Sequence, residues 1–514
     1  MSDTTIVVPT IGRPSLDVLL DALAGQRHPV DAPVVLVDDR PSGPDLVLDA
    51  RGLDVTVVRS GGGGPARARN LGWRRARTTW VSFLDDDVVP DRDWYELLRR
   101  DLETDALGSC GRVRVPLPAD RRPTDWERGT AGLAGSRWIT ADLSYRREAL
   151  AAVGGFDERF PRAFREDADL ALRLGATPDE RSTIVTGRRW ITHPVRPSDD
   201  WASLRQQAGN ADDMLMRRLH GPGWQRRAGA PVGRRAAHVA TTAAGAVALG
   251  SLAWDVIRRP RRRVPARMTS ARMTSAGMTS VVAAGLWLAG TAEFAWRRIA
   301  PGPRDRDEVR RMLLTSLAIP PAATWHTARG LVRHRHATRW RGLPDLVLLD
   351  RDGTLIHDVP YNGDPARVTP VDGAREALDR LRREGVRVAL VTNQSGIARG
   401  LIGPEDVTAV NDRVAELLGP FDGVYVCPHG PDDGCECRKP APGLVKQALA
   451  GAGVAPARAV LIGDIGSDLA AAAAAGVSGI LVPTRQTLPD EVAAAETVAT
   501  SLPAAVDVVL RGIW

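Results

Sequence analysis

The stretch LVLLDRDGTLI, Leu346 to Ile356, decides how the C-terminal part of this chain folds. An unbroken hydrophobic run ends at Asp350, Asp352 follows two residues on, and Gly353 and Thr354 turn the chain away. Further short apolar runs follow it, VRVALVTN, GVYVC, AVLIGD and GILV, separated by helical segments such as GAREALDRLRREG. Apolar runs alternating with helices predict a parallel sheet in an α/β domain. An aspartate at a strand end can accept a phosphoryl group if a cation offsets the charge of both partners. A second aspartate nearby can protonate the leaving oxygen and later activate water. The remaining parts of such a site come in order: Thr392 in LVTNQSG, Lys439 in RKP, and Asp464 and Asp468 in LIGDIGSDL.

Just before Lys439 lies CPHGPDDGCECRKP, residues 427–440. Cys427, His429, Cys435 and Cys437 form a C-x-H…C-x-C pattern of four soft or borderline ligands, suited to tetrahedral zinc. With four protein ligands no position is left for water, so a structural zinc is expected, fixing the loop that carries Arg438 and Lys439. The rival, a redox C-x-C pair, is disfavoured by the histidine and the distant partner cysteine. Four cysteines in 514 residues make no disulfide framework and point to a reducing compartment. The opening MSDTTIVVPTIGRPS shows no signal-peptide pattern, so a cytoplasmic protein is expected.

The N-terminal part repeats the alternation of strands and helices over residues 4 to about 210. Asp38 and Asp39 end the buried run VVLVDD, at the usual ligand edge of an open sheet. GGGGPARARN leads into a helix with Arg67, Arg69 and Asn70 near its start, and WVSFLDDDVVP delivers Asp85, Asp86 and Asp87 together. Three adjacent carboxylates repel one another unless a cation neutralises them, and a hard divalent ion shared with a diphosphate would do so. Glu166 and Asp167 stand at the mouth of a helix in FREDADLALRL. His193, in WITHP, is a lone histidine of the kind that is more often structural.

The middle is different. Arg217 to Arg341 holds 24 arginines against five acidic residues, so the rest of the chain is acidic although the whole carries +7. Residues 236–257 and 280–296 are Ala/Gly-rich apolar helices bracketed by arginine pairs, joined by the repeat ARMTS-ARMTS-AGMTS, which reads as a linker. Interfacial helices on an anionic membrane, a spanning hairpin and soluble packing all remain open. No aromatic pattern interleaves the arginines, so nucleic acid is not an expected partner. The expected domains are 1–212, 213–342 and 343–514.

PTIGRP, the VDD strand end, the acidic triplet, GGFDERF and the ED-D-L signature together resemble a family 2 glycosyltransferase of the GT-A fold, over residues 4 to 200. The resemblance implies a nucleotide-sugar donor. Asp38 and Asp39 would lie near base and ribose, Asp85 and Asp87 would hold Mg or Mn, and Asp167 would be the general base of an inverting transfer. DRDGT, TNQSG, RKP and GDIGSD resemble the haloacid dehalogenase superfamily, with its Rossmann-like domain, over residues 344–490. That implies Asp350 as nucleophile through a phosphoaspartate and Asp352 as general acid/base. Mg would sit on the Asp350 carboxylate, the Asp352 carbonyl and Asp464, with Thr392 and Lys439 on the phosphoryl oxygens. With the zinc loop and TNQSGIARG, the pattern is similar to the D-glycero-D-manno-heptose 1,7-bisphosphate 7-phosphatases, with histidinol-phosphate phosphatases as close relatives. Asn393, Ser395, Arg399 and Arg438 then become candidate contacts to the sugar or a second phosphate. The expectation is a bifunctional sugar-phosphate phosphatase and glycosyltransferase, cytoplasmic and peripheral to the inner membrane face. The alternatives are another small-molecule phosphatase, or a membrane scaffold with an inactive transferase half.

Overall fold

A computed structural model describes residues 3–176, 183–258 and 275–514. Contacts divide the chain into two units, residues 1–338 and 339–514.

The first unit is built on an eight-stranded sheet. Its strands are β1 (Thr4–Thr10), β2 (Val34–Asp38), β3 (Val55–Arg59), β4 (Trp80–Leu84), β5 (Val89–Pro90), β6 (Gly108–Arg114), β7 (Asp142–Arg146) and β8 (Ile184–Thr192), in the order β3-β2-β1-β4-β7-β6-β8-β5. The first four run parallel, and the strand order reverses at β1, where β4 pairs on the side away from β2. Ligands of open α/β sheets bind at such a reversal, beyond the carboxyl ends of the strands. Thr10, Asp38 and the Asp85–Asp87 triplet all emerge there. Val, Ile and Leu fill β1, β2 and β4 because both faces of this sheet are covered, one by a core around Val7, Phe83 and Phe156, the other by one around Ile6, Leu20 and Trp94.

The second unit is a parallel five-stranded sheet: β9 (Leu346–Leu349), β10 (Arg387–Asn393), β11 (Gly423–Cys427), β12 (Ala459–Gly463) and β13 (Ser478–Leu481), in the order β11-β10-β9-β12-β13. Leu349 lies level with Leu390 of β10 and Ile462 of β12, so Asp350, Thr392 and Asp464 leave the sheet together. The helix Ala374–Arg383 shows how the sequence pattern works: Ala374, Ala377, Leu378 and Leu381, at helical spacing, are its buried face, and its arginines point outward. Each buried leucine contributes about 2 kcal/mol by area.

The middle segment departs from expectation in two ways. The expected boundary at 212/213 cuts the helix α1 (Gly209–His220), whose Leu215 and Met216 join the first unit's core with Trp224. The segment also holds three long helices rather than two: α2 (Arg235–Arg258), α3 (Ser275–Ile299) and α4 (Arg306–Arg333). α4 runs through Pro320 and Pro321 and packs along α1. Most of the repeat expected as a linker lies outside the described residues.

Candidate active sites

In the second unit, Asp350 follows the last residue of β9 and its carboxylate accepts a hydrogen bond from the Lys439 ammonium. Lys439 Nζ also pairs with Asp468 at 2.6 Å and donates to the Val391 carbonyl at 3.0 Å. Asn393 holds the lysine in place, its amide donating to the Lys439 carbonyl and accepting from the Lys439 N–H. Carboxylate oxygens of Asp350, Asp464 and Asp468 all lie within 4.8 Å of one another. Burial pushes the Asp350 carboxyl up to about 8; Lys439 opposes this, and the Asp468 and Asp352 charges add to it. Burial likewise raises Asp464, to about 6, helped by Asp468. One lysine facing three buried carboxylates leaves an excess of negative charge, and the all-oxygen donor set suits a hard divalent cation. Gly353, at φ +82°, is required here, since a Cβ would come within 2.2 Å of the Asp464 carboxylate.

Asp352 turns its side chain the other way, accepting from Gln394 Nε2 at 2.8 Å and pairing with Arg351. The cavity they share is about 280 Å³ and is also lined by Tyr361, Thr392, Ser395 and Gln486. Beside it, Cys427 Sγ, His429 Nδ1, Cys435 Sγ and Cys437 Sγ cluster with separations of 3.3 to 3.7 Å. Metal–sulfur bonds of ~2.3 Å at tetrahedral angles would place sulfurs about 3.8 Å apart, close to this spacing. All four cysteines of the chain are unpaired thiols.

In the first unit the protein's own arginines neutralise part of the acidic triplet's charge. Asp85 accepts from Arg69 at 2.7 Å, Asp86 from Thr10 at 2.8 Å and Arg13 at 3.0 Å, and Asp87 pairs with Arg196. Asp87 is nonetheless buried, and among the described residues neither of its oxygens accepts a well-aligned hydrogen bond; His193 Nε2 lies 3.5 Å away. Burial raises the Asp87 carboxyl, and the Asp85 charge adds to the rise. Arg69 is fully buried and also donates to Glu166 at 2.7 Å, joining the glycine-loop helix to the helix that starts at Glu166. Burial pushes Glu166 up to about 8, Asp167 adding to the effect and Arg69 opposing it. Asp167 is also raised by burial, against the Ala168 amide and the charges of Arg69 and Arg165. Arg165, just before this helix, sits at φ +79°, pinned by Asp213 and stacked on Phe164 and Trp224.

Residues 5–148 match glycosyl transferase family 2, residues 347–402 match haloacid dehalogenase-like hydrolase, and residues 436–506 match a further HAD-hydrolase-like family. The D-glycero-beta-D-manno-heptose-1,7-bisphosphate 7-phosphatase of Bordetella bronchiseptica is 40% identical over 144 residues, which are 27% of this chain and 80% of that protein. The chain belongs to the haloacid dehalogenase-like hydrolases. A probable phosphatase of the same description from Thermoplasma acidophilum is 38% identical over 23% of this chain and 76% of its own length. A crystal structure of D,D-heptose 1,7-bisphosphate phosphatase from B. bronchiseptica, complexed with magnesium and phosphate, is 34% identical over 32% of this chain and 98% of its own, with a TM-score of 0.30. The chain is thus an enzyme that joins a family 2 glycosyltransferase domain to a haloacid dehalogenase-like phosphatase.

Of the residues expected in the phosphatase site, Asp350, Asp352, Thr392, Asn393, Ser395, Lys439 and Asp464 line one cavity. Of the candidate sugar contacts, Asn393, Arg399 and Arg438 are engaged by the protein itself, Arg399 lying outside the cavity lining with its guanidinium donating to the Tyr361 hydroxyl at 2.6 Å. Asn393 spends both ends of its amide on Lys439, so it positions the lysine. Arg438 lies outside the cavity lining, its guanidinium donating to the His429 carbonyl at 3.2 Å. In the transferase, Asp38 is fully buried and clamped by Arg40 at 2.6 and 2.8 Å, a hydrogen-bonded pairing that lowers its carboxyl and occupies both oxygens. Asp39 is half-buried, bonded to Ser60 at 2.5 Å. Gln394, Tyr361 and Gln486 in the phosphatase and Glu166 and His193 in the transferase site were not among the expected site residues. Gln394 and Glu166 each adjoin an expected site residue, which was the available signal.

Proposed function

We propose that the second unit removes a phosphate from a sugar bisphosphate of the heptose 1,7-bisphosphate class, and that the first unit transfers sugar from a nucleotide-sugar donor. The observation that carries the phosphatase reading is the joint placement of Asp350, Lys439, Asp464 and Asp468 at one cavity. An Asp350 oxygen attacks phosphorus while Asp352 gives its proton to the departing sugar oxygen, leaving an acyl phosphate and a free hydroxyl. Asp352, now ionised, takes a proton from water; that water attacks phosphorus, and release of phosphate restores the Asp350 carboxylate. Lys439 and Thr392 face the phosphoryl oxygens. Asp350, the Asp352 carbonyl and Asp464 would hold Mg, which when bound supplies positive charge against the approaching phosphate. A screen of the full chain against sugar bisphosphates and histidinol phosphate tests this reading. A rate constant for histidinol phosphate exceeding those of all bisphosphates would replace it.

For the four-donor cluster we propose structural zinc, supported by the donor spacing and by the direct run of Cys437 into Arg438 and Lys439. Elemental analysis should find one zinc per chain, and Cys435→Ser should lose it. Turnover should then fall about ten- to a hundred-fold through Lys439, as expected for a group that orients an active-site residue.

For the transferase we propose Mg or Mn on the Asp85–Asp87 strand end and Asp167 as general base. Asp87→Ala should lower transfer about a hundred-fold or more, and His193→Ala less, while phosphate release stays unchanged. Product assays with nucleotide sugars and each metal check both. Full transfer by Asp87→Ala would remove that residue from the site.

A further inference from the structure

Neither catalytic centre uses the three helices α2, α3 and α4, whose side chains are sorted in an unusual way. Where α2 meets α3 and α4, glycine, threonine and histidine make close contacts with one another and with the rings of Trp287 and Phe294. A Cβ on Gly245 would come within 2.8 Å of Trp287, and one on Gly290 within 2.5 Å of Thr241. The His238 ring sits edge-on to Phe294, and Thr324 bonds Thr242 at 3.1 Å. The large aliphatic residues point outward instead: Val247, Leu249 and Leu252 on α2, and Val281, Val282, Leu286 and Leu288 on α3, with Leu249 71% exposed. A water-soluble bundle buries such residues and exposes polar ones. Small and hydroxyl side chains in the seam, with bulky apolar ones outside, are what hydrocarbon surroundings favour.

The lengths agree. Arg235–Trp254 and Met278–Ile299 are mainly apolar stretches of 20 and 22 residues, the second carrying Glu293, Arg297 and Arg298 towards its end, and the most apolar window of the first has no buried residue. At 1.5 Å per residue each is roughly 30 Å long, the thickness of a bilayer core. α4 adds a feature that its composition hides. Met312, Thr315, Ser316, Ile319, Ala323, Thr327 and Gly330 form its buried side. Leu313, Leu314, Leu317, Trp325, Leu331 and Val332 are exposed, forming an apolar stripe with Arg306 and Arg310 before it and Arg329, Arg333 and Arg335 at its end. The surface of α4 is therefore apolar in the middle and cationic at its edges, and the sequence from Arg258 to Arg272, both included, adds seven arginines. That charge distribution complements anionic lipid headgroups.

We propose that α2, α3 and α4 form a bilayer anchor, with the outward faces of α2 and α3 in hydrocarbon and the stripe of α4 at the membrane surface. α4 is tied to the transferase domain: Arg311 donates to Asp200 at 2.7 Å, Glu308 accepts from the Asp125 amide at 2.8 Å, and α1 packs along it. The anchor thus holds the transferase domain at the bilayer.

The full chain mixed with vesicles containing phosphatidylglycerol should float with them and remain bound after high salt and alkaline carbonate. Trp325 fluorescence should be quenched by brominated lipid, measured as the difference from W325F. The triple variant Leu313→Gln, Leu317→Gln, Trp325→Gln should weaken partitioning at least about ten-fold, because its stripe no longer transfers apolar area into lipid. Its hydrolysis of an aryl phosphate, a readout of the second unit, should be unchanged. A chain that stays soluble without vesicles or detergent and fails to float overturns the proposal. So does a stable dimer in which a second copy covers the apolar face, or a triple variant that partitions like the parent.

Discussion

Asp350→Asn should lower phosphate release by about four to six orders of magnitude, the loss typical of removing a nucleophile from a covalent mechanism. The substitution keeps size and a hydrogen-bond acceptor for Lys439, so folding should be preserved. What goes is the ionised oxygen that bonds to phosphorus. Lys439 would then face Asp468 as its remaining carboxylate partner, and of the two carboxylates that would hold Mg, Asp350 and Asp464, one would be lost, so Mg should bind more weakly. Single-turnover assays with a phosphorylated sugar should show no burst and no phosphoenzyme. Sugar transfer should be unaffected, because the transferase centre lies on a different sheet. Retention of even one per cent of parental turnover would exceed the roughly 10⁻⁴ residual expected and rule out Asp350 as nucleophile.

The second large effect is on stability. Arg69→Met removes the fully buried guanidinium shared by Asp85 and Glu166, and breaking a buried pair from one side costs about 3–5 kcal/mol. Glu166 already has its carboxyl raised to about 8 by burial, with Arg69 among the groups opposing the rise. Without Arg69 it rises further. A raised folded-state value means that stability is lost as pH rises, since the unfolded chain ionises while the folded one resists. The two proteins share that loss up to about pH 8, where the parent's Glu166 ionises and the variant's does not. The deficit of Arg69→Met should therefore widen above pH 8. Denaturant unfolding of the full chain in detergent, followed by the tryptophan emission of the first unit, checks this. A deficit that shrank as pH rose would show that Glu166 is not the group Arg69 neutralises.

Much of this was legible in the chain itself. Short aliphatic runs ending in aspartate and alternating with helical segments point to strands buried on both faces, and the ends of such strands are where ligands bind. Asp350, Thr392 and Asp464 follow from that, Lys439 came from the RKP motif, and the C-x-H…C-x-C spacing alone brings four metal donors together. Pairing across the fold was not legible. Arg69 is one arginine among many in the sequence; only the meeting of its helix with β4 and the helix at Glu166 makes it the partner of two carboxylates. Asn393 and Arg438 both looked like substrate contacts, but packing aims one at the Lys439 backbone and the other at the His429 carbonyl. Asp38 stands at a strand end as expected, yet its neighbour Arg40 closes on it. In the middle segment, composition gave the apolar helices but left their surroundings open. Pro320 and Pro321 also disguised α4, since proline usually ends a helix. Local pattern determines which residues form strands and where chemistry can sit. Which charge neutralises which, and which helix face is left bare, depend on contacts between residues far apart in sequence, and those only the tertiary structure decided.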